Sequence, residues 1–233
     1  MIKSVIVVFD GSNRQDDLAA AIFSATDRAA IFLSARENIL PDRTDIVFLP
    51  GGFSYGDYLR SGAMAAKTPM MAAVKKFAAA GGRVLGICNG FQILCEAGML
   101  SGWLVQNREG KFICQWQGLI PQASFQKLFG GDYIYFPIAH GDGNFRADPD
   151  TIKKLHDGEQ VLFCYDQNPN GSMDNIAGIC NHKKNIFGMM PHPENNIADF
   201  HHNRFSQQGL SSSFSITSAD GLVFFKNFFA LVF

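Results

Sequence analysis

Residues 83–90 read Arg-Val-Leu-Gly-Ile-Cys-Asn-Gly, and no other stretch limits the fold so strongly. An apolar run of strand length ends in two glycines that bracket Cys88, and a helical pattern begins at once over 89–98. This is the cysteine form of a strand–turn–helix nucleophile elbow. Such a turn leaves no room for side chains two residues before and after the nucleophile, which accounts for Gly86 and Gly90. The following helix points its N-terminus at the sulfur and favours a thiolate. The N–H of Asn89 is then free to face a developing oxyanion. The rival reading is a buried structural cysteine, and the strand and helix on either side favour the nucleophile. Cys95 lies within the helix on an apolar face and reads as core.

The flanking segments fit such an elbow. Residues 4–9 form a continuous β-branched run followed by Asp10-Gly-Ser-Asn13, a strand buried on both faces and then a turn. A helical pattern covers 16–24, strand-like runs recur at 30–33, 45–49 and 83–87, and a helix is expected over 69–80. This alternation predicts an α/β fold: a mostly parallel sheet with helices on both faces, three layers in all. Beyond residue 112 the pattern changes. Runs at 112–119, 133–139, 160–165, 176–180 and 185–190 look like strands with few helices between them, separated by turn signals such as Gly130-Gly131 and Asn168-Pro-Asn-Gly171. An antiparallel extension of the same domain is expected, so 1–233 is read as one domain. Residues 199–220 are polar with weak periodicity. Phenylalanines 224, 225, 228, 229 and 233 exceed one helix face, so the terminal stretch is either a buried helix or partly a partner surface.

Composition matters for what it excludes. A net charge of -1 favours neither nucleic acid nor an anionic membrane. Five cysteines, an odd number without CxxC spacing, argue against a disulfide framework or zinc site and for a reducing cytoplasm. No signal peptide is read at the N-terminus, and the apolar stretch 222–233 is too short to span a bilayer.

A thiol nucleophile needs a base, and the base needs an orienting acceptor. Among six histidines, His192 stands apart in Pro191-His-Pro-Glu194, directly after an apolar run. The prolines stiffen an extended segment in which residues two apart point the same way, so Glu194 can hold the imidazole of His192. Metal binding by His192, Glu194, His201 and His202 is a weaker alternative, because the spacing matches no common zinc signature. A second strand runs into Pro50-Gly-Gly-Phe-Ser-Tyr-Gly-Asp-Tyr-Leu-Arg60. Ligands in parallel sheets sit beyond the carboxyl strand ends, so this turn forms another wall, and the N–H near Gly52 can supply the other half of an oxyanion hole. A phosphate loop is disfavoured, since G-x-x-x-x-G-K-[ST] is absent.

Gly86-Ile-Cys-Asn-Gly-Phe-Gln-Ile-Leu94 and Pro191-His-Pro-Glu194 resemble the class I (triad) glutamine amidotransferases. The 50–60 segment, Asn168-Pro-Asn-Gly-Ser172 and Gly188-Met-Met190 narrow the likeness to the glutaminase subunits that serve de novo purine biosynthesis. The resemblance runs from about residue 3 to 232. It implies a flavodoxin-like α/β/α fold and hydrolysis of L-glutamine through a cysteinyl thioester. Cys88, His192 and Glu194 would be the triad, Gly52 and Asn89 the oxyanion donors, and Phe53, Gln92 and His140 substrate contacts. It also implies no cofactor in this chain. ATP and magnesium belong to a large synthase partner that receives the ammonia, with a small bridging subunit between the two. Arg14, Asp142 and Asn195 depart from the usual Cys, Glu and Arg of the family, which bears on partner contacts. Two readings stay open beside this one: a cysteine peptidase of related fold, and a non-catalytic subunit with a relic elbow.

Overall fold

The computed structural model describes residues 2–198 and 219–231. Its main sheet has nine strands: β1 Ser4–Val8, β2 Ile31–Ser34, β3 Ile46–Leu49, β4 Arg83–Ile87, β6 Ile113–Pro121, β7 Ile134–His140, β9 Val161–Tyr165, β10 Ile176–Cys180 and β11 Ile186–Met189. Their spatial order is β2-β1-β3-β4-β11-β10-β9-β6-β7. From β2 to β11 every pairing is parallel. From β11 to β7 every pairing is antiparallel. The antiparallel extension read from the sequence is therefore present and continuous with the parallel half.

The helices are α1 Gln15–Thr26, α2 Pro69–Ala79, α3 Asn89–Glu96, α4 Gln126–Phe129, α5 Pro149–Asp157 and α6 Asp220–Ala230. Adjacent residues on β11 show that α3 and α6 cover opposite faces. The Phe187 ring meets Phe228 of α6 at 5.3 Å, while a side chain on Gly188 would run into Phe91 of α3. β3 and β4 are buried on both sides as a result, which explains their unbroken apolar sequence.

All four described phenylalanines of the terminal stretch, 224, 225, 228 and 229, are buried. α6 lies in a groove between α1, α4, β7 and the 193–195 turn, so more than one helix face is covered. Phe48 and Phe187 pack on Phe228, and Phe129 stacks on Phe224 at 5.1 Å. Those rings belong to the core, and none of the four remains for a partner; Phe233 lies outside the described residues.

One expectation needs correction: the 185–190 run, placed in the antiparallel half, forms β11, which pairs in parallel with β4 and antiparallel only with β10. Three further features go beyond the sequence reading. The second half holds more helix than its strand-like runs suggest, because α5 intervenes. Its signal was present: Asp148 accepts from the Thr151 N–H at 2.9 Å, and Pro149 is the first helical residue. β5 Trp103–Val105 pairs with β8 Asn144–Arg146 as a separate antiparallel ribbon, too short to leave a periodicity. Cys114 lies in an apolar run yet is exposed, because that end of β6 is open to solvent. All five cysteines are free. Among the described residues no helix is long and apolar enough to cross a membrane. There too no group of three or more His, Cys, Asp or Glu residues is placed to hold a metal. His201, His202 and most of the 199–220 segment lie outside the described residues.

Candidate active site

The site forms where β3, β4 and β11 end side by side. Cys88 sits between β4 and α3 with φ 51° and ψ -105°, a strained conformation for a residue with a side chain. Neighbours hold it there: its N–H donates to the Met189 carbonyl at 2.7 Å, and its own carbonyl accepts from Phe91 and Gln92. The glycine requirement has a concrete origin. A Cβ on Gly86 would lie 2.5 Å from the Gly90 carbonyl oxygen, and one on Gly90 would strike the Leu49 carbonyl of β3. The helix can turn back over the sheet only because both are bare.

β11 delivers His192. The imidazole is buried, and its Nδ1 lies 2.7 Å from Oε1 of Glu194, itself buried. The two are not held by extension alone: residues 193–195 form a 3-10 turn that brings the carboxylate under the ring. Nε2 is buried and forms no hydrogen bond among the described residues, and the Cys88 thiol is the polar group that approaches it. Burial opposes charging of this ring, but the charge of Glu194 and then of Cys88 outweighs it, and the imidazole is pushed up to about 10. The geometry therefore favours an imidazolium beside the sulfur.

The loop after β3 completes the site. Gly52 has φ 143°, and a Cβ there would lie 2.7 Å from the Gly11 carbonyl oxygen. Phe53 N–H is spent on that carbonyl at 2.9 Å, whereas the Gly52 N–H has no backbone partner among the described residues. Asn89 opens α3, so its N–H has no carbonyl one turn earlier in the helix. The Gly52 N–H belongs to a residue that lines the cavity with Cys88, and the Asn89 N–H to the residue that follows Cys88 in the chain.

Cys88, His192, Gly52 and Phe53 line one cavity together with Asn13, Arg14, Phe112 and Ala139. Its volume is about 50 Å³, small beside the several hundred Å³ of ordinary ligand pockets. The rings of Phe53 and Phe112, 6.3 Å apart, lie at its border. Phe112 carries no sequence signal of its own, and Asn13 and Arg14, read only as a turn and a departure from the family pattern, are placed on the cavity by the structure. Arg14 pairs with Asp17 at 3.0 Å.

Gln92 and His140 stand behind the cavity wall instead of lining it. Gln92 donates to the Asp142 carbonyl at 2.7 Å and accepts from Asn89 Nδ2 at 2.8 Å. His140 is buried with Nδ1 3.1 Å from Asn107 Oδ1, an acceptor that also takes the Gly143 N–H. That bond assigns the proton to Nδ1. Burial and the charge of His192 lower this ring to about 4, so it is neutral where His192 is charged. Of the departures from family pattern, Asp142 accepts from Ser61 Oγ at 2.8 Å, and Asn195 lies in the turn that seats Glu194.

The model of the CobB/CobQ-like glutamine amidotransferase domain matches residues 1–229. The chain belongs to this family. It is 47% identical over 211 residues to the phosphoribosylformylglycinamidine synthase subunit PurQ of Rhodopseudomonas palustris, covering 85% of this chain and 91% of that protein. The protein of the same name from Lacticaseibacillus paracasei is 49% identical over 202 residues, covering 83% and 86%. A chain in the structure of PurLQS from Thermotoga maritima matches with TM-score 0.82 and 34% identity, over 100% of this chain and 99% of that one. A glutamine amidotransferase from Thermotoga maritima, 17% identical with TM-score 0.57, covers 83% and 76% and shares the fold.

Proposed function

We propose that this chain is the glutaminase subunit of phosphoribosylformylglycinamidine synthase. The observation that carries the chemistry is an elbow cysteine and the imidazole of a buried imidazole–carboxylate pair on one cavity that Gly52 also lines, with the Asn89 N–H at the start of α3 next to the cysteine. Cys88 Sγ attacks the γ-amide carbon of L-glutamine while the oxyanion settles on the N–H groups of Gly52 and Asn89. The proton of the thiol, held on His192, passes to the leaving nitrogen, and ammonia departs from a glutamyl thioester. Water then attacks the thioester, His192 takes its proton and returns it to sulfur, and glutamate leaves. Glu194 keeps the ring oriented and stabilises its charged form.

The chain works as one domain and needs no cofactor of its own in this scheme. ATP and magnesium act on a large synthase subunit, which uses the ammonia to convert formylglycinamide ribonucleotide to formylglycinamidine ribonucleotide; a small third subunit bridges the two. L-Glutamine is the ligand, the compartment is the cytoplasm, and neither nucleic acid nor membrane is engaged. The narrow cavity supports weak activity in the isolated chain and full activity in the complex, where the Phe53 and Phe112 rings would move apart. The test is glutamine hydrolysis with and without the synthase subunit, its nucleotide substrate and ATP. Strong stimulation is expected, and Cys88→Ser abolishes both hydrolysis and thioester trapping. High activity alone, unchanged by the partner, or turnover by the serine variant, overturns the proposal. Peptide cleavage without glutaminase activity would favour the peptidase reading.

A further inference from the structure

Asn89 carries its side chain into the protein, opposite to the use expected of an exposed helix N-terminus. It is 1% exposed, and both ends of its amide are committed. Oδ1 accepts from the Ser54 N–H at 3.2 Å, and Nδ2 donates to Gln92 Oε1 at 2.8 Å. Gln92 continues the chain by donating to the Asp142 carbonyl at 2.7 Å. Three segments far apart in sequence are joined by this line: the loop after β3, the start of α3 and the turn after β7. The first carries Gly52 of the cavity, and the second follows Cys88 directly. Ser54 lies two residues beyond Gly52, in a loop tied to the turn after β1 by Phe53 N–H on the Gly11 carbonyl at 2.9 Å and Tyr55 N–H on the Asp10 carbonyl at 2.6 Å; the Ser54 N–H ties it to α3.

We propose that the Asn89 side chain is a positioning residue that sets the spacing of the two oxyanion donors. The backbone N–H of Asn89 is one donor, and its side chain anchors the loop that supplies the other at Gly52. One residue thereby ties both N–H groups to the same point on α3. The effect belongs to the transition state, because a carbonyl that is not yet tetrahedral gains little from exact donor placement. This inference rests on the glutaminase reading above.

Asn89→Ala leaves the Ser54 N–H and Gln92 Oε1 without partners and cuts the loop's bond to α3, so the two donors are no longer tied to each other. Its kcat for glutamine hydrolysis in the complex is expected to fall ~10–100-fold, with KM changed less than about threefold, because misplacing a donor costs less than deleting one. Alkylation of Cys88 by iodoacetamide should keep its wild-type rate, since the thiol and His192 are untouched. Asn89→Asp, of equal size, keeps the acceptor for Ser54 but sets a second oxygen against Gln92 Oε1. Turning the Gln92 amide only moves the clash to the Asp142 carbonyl, so kcat should fall about tenfold here as well, even if the alanine variant folds poorly. Hydrogen exchange of the Ser54 amide, protected in the wild type, should accelerate in the alanine variant. The proposal is overturned by kcat within about twofold of wild type in either folded variant, by a rise in KM alone, or by loss of alkylation. If the wild-type complex hydrolyses no glutamine while Ser54 stays protected, the functional reading fails and the structural tie stands.

Discussion

Glu194→Gln removes one charge from a buried pair while leaving the size of the side chain almost unchanged. Glu194 is 1% exposed, and its Oε2 has no hydrogen bond among the described residues, so the ring of His192 is its main compensation. Burial lowers the affinity of His192 for a proton, and Glu194 is the larger of the two charges that reverse this. An opposite charge in direct contact moves a pKa by roughly 1–3 units, or about 1–4 kcal/mol of imidazolium stabilisation. The variant should therefore lose ~10–10³-fold in kcat. The upper limb of its pH–rate profile should move down by ~1–3 pH units, because activity needs the charged ring and that ring now loses its proton at lower pH. Thermal stability is expected to fall as well, since removing one partner of a buried ion pair leaves the other without its compensation. The assay is kcat against pH in the assembled complex, with Tm in parallel. A kcat within threefold of wild type, or an unmoved upper limb, would refute the role of the carboxylate in charging His192.

Gly90→Ala should abolish activity and lower Tm, because its Cβ would strike the Leu49 carbonyl; a folded, active variant seen in a kinetic and melting assay would contradict the elbow packing. Phe112→Ala opens the cavity border and is expected to raise glutamine hydrolysis by the isolated chain, which a steady-state assay checks against the wild type. Phe228→Ala empties a site bounded by Phe48, Phe187 and Phe224 and should cost about 3–5 kcal/mol in a denaturant titration. His140 is neutral when folded because its pKa is lowered to about 4 from 6.5. Its contribution to stability is complete above pH 6.5, declines as the unfolded chain takes up the proton, and is lost as pH falls through about 4, a swing of roughly 3 kcal/mol. His140→Asn should flatten that part of the stability–pH curve.

Local chemistry made the nucleophile legible. A strand, two glycines around Cys88 and a helix lie within about a dozen residues, and the steric reason for each glycine can be stated before any coordinates exist. The pairing of His192 with Glu194 was legible, but not its geometry: the segment expected to be extended is a 3-10 turn over 193–195, and the turn brings the carboxylate to the ring. Four of the five parallel strands, β1 to β4, were readable from their apolar runs, whereas the run that forms β11 gives no sign of its parallel pairing with β4. α5 was readable and overlooked, while β5 and β8, at three residues each, carry too little pattern to register.

What only the tertiary structure decided is which distant segments meet. The sheet order places β4 between β3 and β11, and this alone sets Gly52, Cys88 and His192 around one cavity. Nothing in the spacing of residues 52, 88 and 192 specifies that adjacency, because strand order is a property of long-range pairing and not of local periodicity. The same holds for the buried side chains of Gln92 and His140, whose motifs suggested contact with substrate. Their orientation depends on acceptors at Asp142 and Asn107, some 50 and 33 residues away in the chain. Sequence determines which groups can do the chemistry. Packing decides which of them face the cavity and which hold the others in place.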